Sequence, residues 1–187
     1  LHIKCSQMLK SIIKFFRKRN IKENLQRERM MQFPDFEKYL TITLMIDDSQ
    51  KKIVKEMDAF VKNAFNSTKV RFVVMTKNLQ SDFLQSDTMF FLEKTDFNIF
   101  GVLKKEKEEA LRSFFDDMFI NLSNSNNELL NDYLVTCVNS KFKIGHSKNN
   151  TKLHDLIIDY GIETDDVERL KILHKYLKML SGSKDEK

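Results

Sequence analysis

Residues 39–47 read YLTITLMID and residues 70–76 read VRFVVMT. Both runs are β-branched and apolar, as buried strands are. Between them, Ile53, Met57, Phe60, Val61 and Ala64 recur at helical spacing, which predicts a helix over residues 49–65. A strand, a helix and a strand of these lengths make a β-α-β unit with two parallel strands and a right-handed crossover.

The pattern continues along the chain. Short strands are predicted at Met89–Leu92 and Phe97–Phe100, near Gly101, followed by a helix over Glu106–Phe115 and a strand over Met118–Leu122. Ser125 and Glu128 form an S-x-x-E capping box that opens a helix reaching about Val138. Lys141–Ile144 is a strand ended by Gly145, and Leu153–Asp159 is a further strand. The last helix is expected over Thr164–Leu180, with Asp165 and Asp166 in its first turn and Lys171, Lys175 and Lys178 toward its end. Strands alternating with helices predict an α/β, Rossmann-like three-layer domain with a mostly parallel sheet. A basic amphipathic N-terminal helix precedes it. The expected organisation is the helix in residues 1–33, the α/β domain in 34–181 and a polar tail in 182–187. Phe33-Pro34-Asp35, around the only proline, marks the first boundary.

Composition excludes several kinds of chemistry. The 187 residues include four glycines, at positions 101, 145, 161 and 182, too far apart for any glycine-rich phosphate loop or nucleophile elbow. Cys5 and Cys137 form no metal-type or disulfide framework, and a reducing cytoplasm is the expected setting. No apolar run approaches the length of a membrane span. The first residues are too charged for a secretory signal, and richer in Lys and poorer in Ser than a mitochondrial transit peptide. The chain opens on Leu1 rather than Met, as a processed or truncated start would.

Charge is distributed unevenly. Residues 1–32 hold nine basic residues against two acids, whereas the rest holds 23 against 25, although the whole chain is +5. Cys5, Met8, Leu9, Ile12, Ile13 and Phe16 form a helical apolar stripe with most of the basic residues off it. Helix is expected, with breaks, to about Met30. The asymmetry suggests a polyanionic partner. Lys10, Lys14, Arg17, Lys18, Arg19 and Lys22 are the candidate contacts for RNA phosphates, with Phe15 and Phe16 either stacking on bases or docking the helix on the body. The same helix would also suit an anionic membrane surface.

The other motifs favour structural readings. Asp47-Asp48 ends the first strand as a receiver domain's carboxylates do, but the acceptor Asp and the Lys of such a site are missing. A phosphatase-type D-x-D fails at Ser49. Asp48 or Ser49 is the expected cap of the following helix. The polar stretches Asn121–Asn127 and His146–Asn150 follow strands, where open α/β sheets bind ligands, yet they also read as ordinary turns and caps. Neither the scattered histidines nor any nucleophile-base pair forms a visible constellation. No catalytic residue, metal ligand or cofactor is therefore assigned.

Three stretches carry a family resemblance: Asp117-Met118-Phe119-Ile120-Asn121-Leu122-Ser123, Ser140-Lys141-Phe142-Lys143-Ile144-Gly145, and His154-Asp155-Leu156-Ile157-Ile158. Together they resemble a Bacteroidota family of short cytoplasmic proteins classed as a domain of unknown function. The likeness covers about residues 14–180, and His154 stands where that family usually has an aromatic. It implies a basic N-terminal helix before an α/β body and no activity. At fold level the layout is also similar to the first domain of heptosyltransferase-type glycosyltransferases. The sequence thus supports a non-enzymatic RNA- or ribosome-associated protein. The alternatives are a degenerate nucleotide- or sugar-nucleotide-binding domain and a peripheral membrane protein.

Overall fold

Leu40–Asp47 (β1) and Ser67–Met75 (β2) pair in parallel along their whole lengths. Both are apolar on both faces, so both can be covered by helices. The structure, a computed structural model, describes residues 2–76, 88–124, 126–160 and 164–182, with side chains from residue 7 onward. The crossover from β1 to β2 starts as a 3-10 segment, Asp48–Ile53, and continues as helix α2, Val54–Ala64. Asp47, rather than Asp48 or Ser49, takes the N-cap position of this crossover. Its N–H donates to Gln50 Oε1 at 2.5 Å, and this tightens the first turns.

Met89–Leu92 (β3) adds outside β2. Helix α3, Lys105–Arg112, then returns the chain to Phe115–Asn121 (β4), which pairs with the other edge of β1. Helix α4, Glu128–Cys137, leads to Asn139–His146 (β5), and Leu156–Ile158 (β6) completes the sheet before helix α5, Asp166–Gly182. The order is β3-β2-β1-β4-β5-β6, with every pairing parallel. The expected three-layer α/β architecture is present. One face of the sheet, with Ile42, Leu44, Phe72 and Ile120, packs against Met57 and Val61 of α2 and Leu170 and Leu173 of α5. The other, with Met45, Val73 and Phe119, packs against Leu111 of α3 and Tyr133 and Leu134 of α4.

The N-terminal helix, α1, runs unbroken over His2–Leu25 rather than with breaks to Met30. It lies on the α4 side of the sheet, where buried Asn24 joins three helices. Its Nδ2 donates to Thr136 Oγ1 at 3.0 Å, and Arg112 Nη2 donates to its Oδ1 at 2.6 Å. The segment after α1 is tied to the body too: Gln32 N donates to Lys141 O at 3.1 Å, and the Phe33 ring meets Phe142 edge-on.

Several element expectations are corrected. Phe97–Phe100 is no strand. It forms a turn around Gly101, which has φ 72°, closed by a lone antiparallel bridge from Phe97 to Leu103. Helix α3 ends at Arg112, and Phe115 already belongs to β4. Gly145 lies inside β5 instead of ending it. Leu153 closes a 3-10 turn, so β6 keeps only three residues. Asn127 caps α4, its side chain accepting from Leu130 N at 3.2 Å; Ser125 lies outside the described residues. Asp165 accepts from Glu168 N at 2.9 Å ahead of α5, and Gly182 is helical rather than the first tail residue. Residues 183–187 lie outside the described residues.

Candidate functional site

The strand order reverses between β1 and β4, and an open parallel sheet splits there into a ligand crevice. In this chain the split is stitched closed. Asp47 Oδ1 accepts from Ser123 Oγ at 2.6 Å and Oδ2 from Asn124 N at 2.7 Å, while Gln50 Nε2 donates to Leu122 O at 3.3 Å. Asp47 is therefore committed to the opposite loop. Among the described residues no three His, Cys, Asp or Glu side chains are grouped to hold a metal ion.

Beside the stitch lies a cleft of about 420 Å³, lined by residues of both polar stretches, among them Ser123, Asn126, His146 and Asn149. Several of its lining groups join a hydrogen-bond network that runs behind it. Asn121 Nδ2 donates to Asn131 Oδ1 at 3.1 Å and lies 3.5 Å from His154 Nε2. His154 Nδ1 lies 2.9 Å from Asn150 O, and His146 Nε2 lies 2.9 Å from Ser123 O. Each carbonyl requires a donor, so His154 carries a proton on Nδ1 and His146 on Nε2. Burial lowers both pKa values, that of His154 to about 4. Gly145 makes this packing possible: a Cβ there would sit 2.8 Å from both Asn149 Oδ1 and His154 Cδ2.

A second cavity, of about 260 Å³, opens where the segment after α1 passes the C-terminal end of α4. Arg27, Arg29, Arg112, Lys143 and Lys152 line it, with Glu28 as the one acid. Two of these cations are neutralised. Arg29 holds the Asp155 carboxylate through both terminal nitrogens, and Arg112 pairs with Glu108 at 2.7 Å. Lys143 is not. It sits in mid-strand, buried, and its Nζ donates to Val135 O at 2.6 Å. Among the described residues that ammonium has no other hydrogen-bond partner. Burial first, and the Arg29 guanidinium second, hold its pKa down to about 7. Nearby Cys137 is a buried free thiol pushed up to about 11 by burial.

The six basic residues singled out on α1 divide by helix face. Lys10, Lys14, Lys18 and Lys22 are exposed, and every fourth residue puts them about 6 Å apart along the axis. None of the four meets a carboxylate among the described residues. Arg19 is exposed but paired with Glu23 at 2.7 Å. Arg17 points inward. Its Nε donates to Gly101 O at 2.8 Å, its guanidinium lies over Phe97, and burial lowers its pKa. The docked stripe is Ile13, Phe16, Arg17, Asn20, Ile21 and Asn24, while Met8, Leu9 and Ile12 of the expected stripe are exposed and the Cys5 side chain lies outside the described ones. Phe16 packs on Phe100 with ring centres 4.4 Å apart, whereas Phe15 faces outward. Gly101 admits the helix: a Cβ there would lie 2.6 Å from Ile13 Cγ2.

The basic cavity was not legible as a site in the sequence. Its one local signal is Lys143, a lysine between Phe142 and Ile144 in a buried strand. Arg29, Arg112 and Lys152 come from separate elements, and only the fold brings them together.

The model of a family of unknown function, DUF6913, matches residues 14–180, and the chain belongs to that family. The match begins within α1, so the docked part of the helix from Phe16 to Asn24 lies inside it. No curated protein and no solved structure matches the chain.

Proposed function

We propose that this DUF6913 protein is a non-enzymatic, cytoplasmic, RNA-associated protein that uses the outer face of α1 on a large RNA assembly such as the ribosome. The observation that carries this reading is the row of Lys10, Lys14, Lys18 and Lys22, exposed and, among the described residues, without carboxylate partners, on a helix held to the body by Arg17 and Asn24. The docked helix fixes the spacing of these lysines along its axis, so their ammonium groups can reach successive phosphates. Its richness in Lys, Asn, Ile and Phe supports the AT-rich Bacteroidota source that the resemblance implies.

The test is RNA affinity as a function of salt. About four phosphate contacts give a slope of log affinity on log salt near −3 to −4. Changing Lys10, Lys14, Lys18 and Lys22 together to Gln should flatten the slope and weaken binding to most sequences alike. Arg17→Gln should leave the slope unchanged, because its guanidinium faces Gly101. Unchanged binding by the fourfold variant would refute the reading.

A membrane surface is the second reading, favoured by exposed Met8, Leu9, Ile12 and Phe15 on the same helix. It predicts that Ile12→Asp and Phe15→Asp impair vesicle binding as much as loss of the lysines. The sugar-nucleotide reading draws on the strand order, but Asp47 closes the crevice it needs.

A further inference from the structure

The structure assigns a second binding site, separate from the outer face of α1. The cavity between the segment after α1, the C-terminal end of α4 and β5 is a pocket for a small phosphate monoester, held by Lys143 with Arg27 and Lys152. The argument starts from the cost of Lys143. A buried ammonium needs its three N–H groups satisfied and its charge balanced. Val135 O takes one N–H, and no carboxylate forms an ion pair with it among the described residues. Asp155, the nearest acid on this side, is already engaged by both terminal nitrogens of Arg29 and by the N–H of Lys143 itself. Among the described residues the fold thus builds a cavity wall around an ammonium that makes no ion pair, although the already engaged Asp155 acts favourably on that ammonium. Its low basicity is the consequence of leaving it unbalanced.

Charge and size point to the same ligand. With Arg29 and Arg112 neutralised, Lys143, Arg27 and Lys152 face the cavity against Glu28 alone. That surplus suits a doubly charged headgroup, and guanidinium and ammonium donors suit phosphate oxygens. Asn24 and Thr136 add polar groups, and Leu25, Val138 and Leu153 offer an apolar wall for an organic moiety. At about 260 Å³ the space takes a small molecule rather than a polymer strand. Arg29 and Arg112 act as positioning residues, fixed by Asp155, Glu108 and Asn24.

The test uses the full chain and two probes, inorganic phosphate and glycerol phosphate, titrated at constant ionic strength and followed by calorimetry and thermal shift. Saturable binding with Kd near or below about 1 mM is expected. Lys143→Met, which keeps a buried apolar stem, should weaken it at least about tenfold, equivalent to about 1.4 kcal/mol. Arg27→Gln, an exposed change that leaves the core intact, should weaken it severalfold. Changing Lys10, Lys14, Lys18 and Lys22 to Gln should leave phosphate affinity unchanged, which separates this site from the RNA face. Absence of saturable binding, or equal binding by the Lys143→Met and Arg27→Gln chains, overturns the proposal. So does phosphate binding that disappears with the α1 lysines.

Discussion

The two cavities on the α4 side of the sheet make opposite use of polar groups. The cleft beyond the carboxyl ends of β4 and β5 is the larger and stands where parallel sheets usually bind ligands. Yet Ser123, Asn131, His146, Asn149 and Asn150 of its lining are held by neighbouring side chains and backbone. The smaller cavity, near the start of β5, has no such precedent, and among the described residues its buried ammonium forms no ion pair. Position in the fold suggests the first as a binding site; chemistry favours the second. A group already hydrogen-bonded must give up a partner before it meets a ligand, whereas an unbalanced one gains on contact.

The largest way to disturb this contrast is Asp155→Ala. It removes the carboxylate that neutralises Arg29 and accepts from Lys143 N. Breaking a largely buried pair leaves an uncompensated charge, so a loss of about 3 kcal/mol is expected, read by chemical denaturation. If the basic cavity is as electropositive as its lining implies, phosphate should restore more stability to this variant than to the parent.

Gly145→Ala tests the cleft. The added methyl would meet the His154 ring and Asn149 Oδ1 at 2.8 Å, within a network that has no slack. Overpacking of this kind costs about 1–3 kcal/mol, measurable as a lowered midpoint with an unchanged slope. A neutral result would mean that the network yields, and that the cleft is free to open for a ligand.

Lys143→Met acts in the opposite direction. Burial lowers the folded pKa of Lys143 from 10.5 to about 7. Below about pH 7 both states are protonated and the folded protein carries the full penalty. Between 7 and 10.5 the unfolded chain binds the proton that the folded one has released, so parent stability rises with pH across that window. The Met variant lacks this limb. It should be more stable than the parent near pH 7, and the gap should shrink as pH rises toward 10. A gap that stays constant with pH would show that Lys143 is balanced after all, and the contrast between the cavities would fail.

The strands and helices that were legible are those whose identity depends on local pattern. Leu40–Asp47 and Ser67–Met75 are apolar enough to be strands under any neighbour. Misreadings fall where an apolar or polar residue serves a distant partner. Phe97 and Phe100 look like strand residues but receive Arg17 and Phe16 of α1. His154 and Asp155 leave the expected strand because one is held by Asn150 O and the other by Arg29. The docked face of α1 differs from its apolar stripe for the same reason. Its seat offers Gly101 O, Thr136 Oγ1 and the Arg112 guanidinium, so it selects Arg17 and Asn24 where an apolar pattern selects Met8 and Leu9.

Local pattern alone determined the α/β alternation, the parallel sheet and the basic character of the first helix, because hydrophobic periodicity and net charge are properties of short stretches. Only the tertiary structure decided which of those charges remain free. It turned Arg17 inward, paired Arg19 and Arg29, left the lysine row on α1 exposed and walled in Lys143. Whether a charge is balanced depends on residues up to 126 positions away in the chain, and that separation is set by how the helices pack on the sheet.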